Sequence, residues 1–405
     1  MKAGWQRRQL GELAELKGRI GWRGLTAKEY TQTGPLFLSV HSLNYGDYVD
    51  FRDAFHISRE RYAESPEIML KEGDVLICKD GAGIGKVGIV GALASPTTIN
   101  SSLLLIRSGP LILPKFLFRC LSSPYFQKIV NSRLNGATTP HLYQRDITEF
   151  PVILPTIPEQ QRIVALIDEA FNDIANAKTK AEKNLQNSCA LFESHLQSVF
   201  TERGKGWKIK SLGEMAAFRN GINFNKTSKG APIRILGVKD FKNNYWAPLE
   251  ALESIIPDGV VPDSDTLKKN DIIFVRSNGN PELIGRSLLV GDVTERTTHS
   301  GFTIKARLHT EELLPTYLCH FLKSGRARRE MIDGGNGANI RSLNQGTLSR
   351  IAIPFPSLAE QAQIVQRLES IQKETQRLES IYQQKLAALD ELKQSLLHEA
   401  FSGNL

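Results

Sequence analysis

The sequence predicts a mixed α/β (α+β) chain of two tandem domains, each followed by a long helix, with the two helices pairing as an antiparallel coiled coil. Three observations carry this. The stretch LPTIPEQQRIV (154–164) returns as FPSLAEQAQIV (355–365), with Pro155 and Pro356, and likewise Ile163 and Ile364, standing 201 residues apart. WQRRQLGELAELKGRI (5–20) returns as WKIKSLGEMAAFRNGI (207–222), keeping the tryptophan, the LGE tripeptide and the closing isoleucine at an offset of 202. Each proline-bounded turn then runs into a helical pattern, over 159–200 and again over 360–401. Self-similarity at a fixed offset is the signature of a duplicated unit. The expected boundaries are 1–155 and 205–356 for the domains, and 156–204 and 357–405 for the helices.

Composition narrows the class. With 405 residues, 41% hydrophobic and 23% charged, the chain can bury real cores. No run of about 18 apolar residues is present to span a bilayer, and the basic start lacks the apolar core of a secretory signal, so a cytoplasmic location without membrane contact is expected. Cys78, Cys120, Cys189 and Cys319 lie far apart with no CxxC pair, and the eight histidines are scattered, so no metal site is indicated. The net charge of +8 suits a polyanionic partner but needs a motif to make that specific.

In the first domain, PLFLSV (35–40), DVLIC (74–78), KVGIV (86–90) and SLLLI (102–106) read as short strands bounded by turn residues. Over 114–134 the spacing becomes helical, with Phe118, Leu121, Phe126 and Ile129 on one side. A polar loop, GATTPHLYQRD (136–146), and a last strand, EFPVILP (149–155), follow. KDGAGIGKVG (79–88) tempts a nucleotide reading that fails. A phosphate loop would need Gly where Asp80 stands and a hydroxyl where Val87 stands. Gly83, Gly85 and Gly88 spell GxGxxG, yet strand formers follow, leaving no helix N-terminus for a pyrophosphate. The reading adopted is a glycine-supported hairpin carrying Lys79 and Lys86 toward a phosphate backbone; a plain turn with solvated lysines is the competing one.

The second copy keeps this scaffold in DIIFVRSNGNPELIGRSLLV (271–290), with Arg276 and Arg286 as its cations and a different tip. The polar loop also diverges, Thr138, Thr139, His141 and Tyr143 being matched by Asn339, Ile340, Ser342 and Asn344. A kept frame with changed polar tips suits two modules that read different sequences, against simple drift in unconstrained loops.

The helices show heptad-like seams. The first runs through Ile163, Ile167, Ala170, Ile174, Ala177, Ala181, Leu185, Ser188, Phe192, Leu196 and Val199, with one extra step of four. The second runs through Ile364, Leu368, Ile371, Thr375, Leu378, Tyr382, Leu389, Leu392 and Leu396, interrupted at Lys385. Neither helix can bury such a seam on its own domain alone, and the order domain–helix–domain–helix makes the pair antiparallel. Phe171, Leu191, Ile381 and Leu397 are left for outward faces that either dock other subunits or widen the seam.

At this point the chain resembles a known family. LGEL (10–13), EGDVLICKDGAGIGKVGIV (72–90), GATTPHLYQRDITEFPVILPTIPEQQRIV (136–164) and LLHEAFSGNL (396–405) together look like the specificity subunit of a type I restriction-modification system. GANIRSL (337–343) in the second copy departs from the more family-like GATTPHL (136–142). The resemblance implies two target-recognition domains, each reading half of a bipartite asymmetric DNA site, with the helical spacer setting the gap. It implies as partners double-stranded DNA, two modification (methyltransferase) subunits and the restriction (translocase/nuclease) subunits. It implies no cofactor on this chain, S-adenosylmethionine and ATP belonging to the partners, and no catalysis by the chain itself.

The absence of an Asn-Pro-Pro-aromatic tetrapeptide, a phosphate loop and an HExxH agrees with that expectation. The alternative is a coiled-coil protein-interaction scaffold without sequence-specific DNA binding, which explains the helices but not the duplicated domains. The candidate DNA contacts are Lys79, Lys86, Thr138, Thr139, His141, Tyr143 and Gln144, and in the second domain Arg276, Asn278, Arg286, Asn339, Arg341 and Asn344.

Overall fold

A computed structural model describes residues 4–19, 25–134, 141–202, 204, 206–225, 228–242, 244–333 and 342–402. Two compact units emerge, one of residues 1–182 with 384–405 and one of residues 183–383. Each unit therefore contains one copy of the duplicated domain, part of one long helix and part of the other.

In the first unit the strands Ala14–Gly18, Leu103–Ser108, Val75–Cys78 and Val87–Ile89 form, in that order, a four-stranded antiparallel sheet. Strand alternation gives it two apolar faces. Val75 and Ile77 join Leu16, Leu104 and Ile106 in a core with the helices, while Leu76 and Cys78 join Leu103 and Leu105 in a second core. That second core is shared with a three-stranded sheet of Phe55–His56, Thr31–Leu38 and Thr97–Ile99. The helical run expected over 114–134 is two helices, Pro114–Ser122 and Pro124–Leu134. A residue before proline is kept out of the α region, and Ser123 accordingly sits at φ −71°, ψ 152°.

The second unit repeats this plan. Ala216–Asn220, Thr303–Leu308, Ile272–Val275 and Ser287–Leu289 form its four-stranded sheet, and Glu253–Ile255, Ile233–Leu236 and Thr297–His299 its three-stranded one. In each unit a strand near the start pairs with the strand before the proline turn, Gln6–Gln9 with Pro151–Leu154 and Lys208–Ser211 with Ala352–Phe355.

The proline turns fix each helix to its domain through a glutamine. Gln160, with no exposed surface, donates from Nε2 to the carbonyls of Leu111 and Pro155, each at 2.9 Å, and accepts at Oε1 from the Leu113 N–H at 2.9 Å. Gln361, equally buried, donates to the carbonyls of Glu312 (2.8 Å) and Pro356 (2.9 Å) and accepts from the Leu314 N–H (2.9 Å). A buried carboxamide stabilises a structure only when its donors and acceptor are matched, and here one side chain satisfies three backbone groups.

The long helices, Ile157–Thr201 and Leu358–Ser402, are 45 residues each, roughly 65 Å at about 1.5 Å per residue. In the first, Ile163, Ile167, Ile174, Ala181, Ser188 and Leu196 are buried, and Ala170, Ala177, Leu185, Phe192 and Val199 are half-buried. In the second, Leu368 and Thr375 are buried, and Ile364, Ile371, Leu378, Tyr382, Leu389 and Leu396 are half-buried.

Two expectations are corrected. Leu392 is 47% exposed, not in the seam, and Leu397, expected outward, is buried with Ala400 and Phe401. After Tyr382 the inward side passes through Leu386, Leu389, Lys393 and Leu397. Steps of four following a strict heptad keep one face of a 3.6-residue helix inward and carry Lys385 out to solvent.

The pairing runs antiparallel within both units. In the first, Lys178 Nζ meets Asp390 at 2.5 Å and Lys393 lies 4.6 Å over the Phe171 ring. In the second, Leu196 and Phe200 share a core with Val365 and Leu368.

Candidate nucleic-acid interface

Among the described residues, the differing pairs His141 with Ser342 and Tyr143 with Asn344 lie on segments joined to the hairpins by the same main-chain bonds. In the first copy, strand Val75–Cys78 leads through a 3-10 turn, Gly81–Gly83, into strand Val87–Ile89. Residues 79–86 are thus the turn of an antiparallel hairpin whose second strand begins at Val87, with no helix directly after it. Gly85 takes φ +82°, and a Cβ there would lie 2.7 Å from Val130 Cγ1, so a left-handed backbone and a close helix both require glycine.

Lys79 is held by its backbone. Its N–H donates to the Ser102 carbonyl (2.9 Å) and its carbonyl accepts from the Leu142 N–H (2.9 Å), which stitches the later part of the polar loop to the hairpin. Asp80 and His141 oppose each other across this stitch as an isolated bridge. His141 Nδ1 and Lys79 Nζ, the latter at 2.9 Å, both meet the Asp80 carboxylate. Partial burial works the other way, yet the hydrogen bonds from Lys79 and His141 hold Asp80 below the usual carboxylate range. The His141 ring packs edge-on to Tyr143 at 4.6 Å, and Tyr143 is 57% exposed. Lys86 is exposed, its Nζ donating to Asn44 Oδ1 at 2.6 Å. Gln144 donates to the Leu16 carbonyl at 3.2 Å, so its amide group is tied to the sheet. Thr138 and Thr139 lie outside the described residues.

The second copy repeats the stitch with other side chains. The Arg276 N–H donates to the Phe302 carbonyl (2.8 Å), and the Arg276 carbonyl accepts from the Leu343 N–H (2.8 Å). Ser277 and Ser342 oppose each other where Asp80 and His141 do in the first copy. Arg276 Nη1 donates to the Gly301 carbonyl (3.3 Å) and Arg286 Nη1 to the Lys242 carbonyl (2.8 Å). Two of the candidate contacts also serve the fold. Asn278 Oδ1 accepts from the Asn280 N–H (2.9 Å) within the turn, and Asn344 caps helix Gln345–Arg350 by accepting from the Thr347 N–H (2.8 Å). Asn339 and Arg341 lie outside the described residues.

Sequence reasoning missed the groups that brace the hairpins. Gln127 Nε2 donates to the Gly85 carbonyl at 2.9 Å, and Arg328 donates to the carbonyls of Ile284 (2.5 Å) and Glu282 (2.9 Å). Their signal was the 201-residue offset they share with the proline turns.

The arrangement offers cations, hydroxyls and an exposed aromatic on hydrogen-bonded loops. Among the described residues no group of three or more His, Cys, Asp or Glu is placed to hold a metal ion. Burial pushes the Cys120 thiol up to about 12, away from nucleophilic use.

Residues 2–185 and 204–387 each match the family model described as the type I restriction modification DNA specificity domain. The chain belongs to this family. The paired specificity domains are similar to the StySPI type I restriction enzyme specificity subunit of Salmonella potsdam, 23% identical over 74% of this chain and 67% of that one. They are also similar to the putative MjaX specificity subunit of Methanocaldococcus jannaschii, 24% identical over 91% and 86%. Among solved structures, the HsdS subunit from Thermoanaerobacter tengcongensis aligns over 100% of this chain and 98% of that one, at a TM-score of 0.68 and 18% identity. A chain from a study of complex assembly and conformational transition in the type I R-M system aligns over 100% and 99%, at 0.76 and 18%. These structural likenesses carry the fold, two specificity domains each with a long helix.

Proposed function

We propose that this chain supplies the DNA sequence specificity of a type I restriction-modification complex. The first domain reads one half of a bipartite, asymmetric site and the second reads the other, while the paired helices set the unspecified gap. The observation that carries the reading is the duplicated stitch, Lys79 to Leu142 and Arg276 to Leu343, which holds two backbones alike and presents different side chains. One frame with two sets of tips is what reading two different half-sites requires.

Lys86 and Arg286 position the domains on phosphates, a contribution that weakens with salt. Side chains beside the stitches read base edges in the major groove, where arginine forks onto guanine. The chain performs no chemistry. Two modification subunits bring S-adenosylmethionine and methylate adenine, and restriction subunits bring ATP and cleave. The complex works in the cytoplasm; no helix among the described residues is long and apolar enough to cross a membrane.

The test is genome-wide adenine-methylation mapping in cells with and without this gene beside an active modification partner. Loss of methylation at one motif, two short halves around a fixed gap, is the expected result. Unchanged methylation would move the chain to the protein-scaffold alternative.

A further inference from the structure

The turn that enters the strand Leu103–Ser108 is built a second time, before Thr303–Leu308, with almost the same bonds. Asn100 N–H donates to the Leu38 carbonyl and Ser300 N–H to the Leu236 carbonyl, both at 2.9 Å. Two residues on, Ser102 N–H donates to Asn100 Oδ1 (3.1 Å) and Phe302 N–H to Ser300 Oγ (3.2 Å). The carbonyls of Ser102 and Phe302 then accept from Lys79 and Arg276, the cations that open the two hairpins. The backbone is the same, and the outward side chain is not.

Ser102 is half-buried and polar, whereas Phe302 is 61% exposed. It lines a cavity of about 350 Å³ together with Phe224, itself 43% exposed, Ile222 and Val238. The turn is tied down, because Gly301 N–H donates to the Ile222 carbonyl (2.7 Å) and Ile222 N–H to the His299 carbonyl (2.9 Å). A fixed turn that holds a large aromatic in water, lining one cavity with a second exposed aromatic, offers an apolar contact surface. Its bonding to Arg276 places it on the face assigned above to DNA. A phenyl ring makes no conventional hydrogen bond, and among the base-pair edges of the major groove the 5-methyl of thymine is the apolar partner.

We propose that Phe302 reads a thymine by its 5-methyl group in the half-site bound by the second domain, with Arg276 beside it. The first domain, with Ser102 at that place, lacks this contact. The inference rests on the DNA-reading function proposed above and adds which base the second domain selects.

The test begins from the motif mapped by methylation. The purified complex of this chain with its modification subunits is titrated with duplexes in which the motif's thymines are replaced one at a time by deoxyuridine. That replacement removes the methyl and keeps every hydrogen-bonding group. At one position the unaltered complex should lose about fourfold in affinity, the worth of one buried methyl group. There Phe302→Ser should bind thymine and uracil duplexes equally, and Phe302→Leu should keep part of the preference. No methyl-sensitive position, or a Phe302→Ser complex that keeps the original preference, overturns the proposal. Failure to obtain any bipartite motif would instead sink the DNA-reading function itself.

Discussion

Arg107 grips Asp74 through two parallel hydrogen bonds, Nε to Oδ1 at 2.8 Å and Nη2 to Oδ2 at 2.7 Å, and Arg307 grips Asp271 in the same way at 2.7 Å for both. Both carboxylates are buried, and each also accepts a backbone N–H, from Lys71 and Lys268. The hydrogen bonds to Asp74 and Asp271 hold both arginines above their ordinary range. Removing one partner of such a pair strands a charge away from water. Arg107→Ala should therefore destabilise the first domain by about 3–5 kcal/mol, and Arg307→Ala the second by a similar amount, read from denaturant unfolding resolved by domain.

Gln160→Leu should act on the same domain by a different route. It leaves the carbonyls of Leu111 and Pro155 and the N–H of Leu113 without their shared partner, a loss of about 2–4 kcal/mol. Hydrogen exchange should show faster opening at the start of the first long helix, with the start of the second unchanged.

The shifted seam makes a paired prediction. Leu368, with no exposed surface, should cost about 2–5 kcal/mol on truncation to alanine. Leu392→Ala, at a site 47% exposed, should stay within about 0.5 kcal/mol. Equal losses in thermal unfolding would restore the strict heptad in the second helix.

Acid should weaken the second domain selectively. Burial first, then Lys305 and Arg307, pushes His299 down to about 3, and burial with Lys323 pushes His320 down to about 4. Both rings are thus neutral in the folded chain at pH values where an unfolded histidine binds a proton. Their contribution is intact above the unfolded value near 6.5 and is lost as pH falls toward the folded values. Between pH 7 and 5 each should cost about 2 kcal/mol, and His320→Leu should flatten its share of the pH dependence of unfolding.

Lys86→Ala should lower DNA affinity to a similar degree for all sequences and reduce the slope of log affinity against log salt by about 0.9, the mark of one lost phosphate contact. Arg276→Ala should instead relax preference at one base. A uniform loss from both variants, measured by binding across a salt series, would remove Arg276 from the base readers.

Much of the architecture was legible because duplication puts each element on the page twice. The strands ending at Cys78 and Val275, the hairpins after them and the inward faces at Ile163 and Leu368 all follow from periodicity and turn residues. The helix break at Ser123 was also readable, since Pro124 dictates it, but the apolar spacing on both sides concealed it. The displacement of the seam past Tyr382 was not, because leucines at 386, 389, 392, 396 and 397 offer two registers and only the packed partner chooses between them.

At the candidate interface, residue type indicated where polar groups gather but not what each one does. Residue type placed Asn344 and Gln144 among the candidate contacts, and the fold adds a use of each that type alone does not give, one capping a helix and the other anchoring to the sheet. Side chains of that kind serve backbone and base edges with the same atoms, so three-dimensional partners alone separate the uses.

The stitches have a consequence for how such a chain can change. Leu142 to Lys79 and Leu343 to Arg276 are main-chain bonds, indifferent to which side chains flank them. Asp80 with His141 and Ser277 with Ser342 are two solutions already carried on that one support. Side chains at these positions can therefore be exchanged with the main-chain support kept, so under the proposed DNA-reading function new specificity and retained stability are separate problems for this molecule.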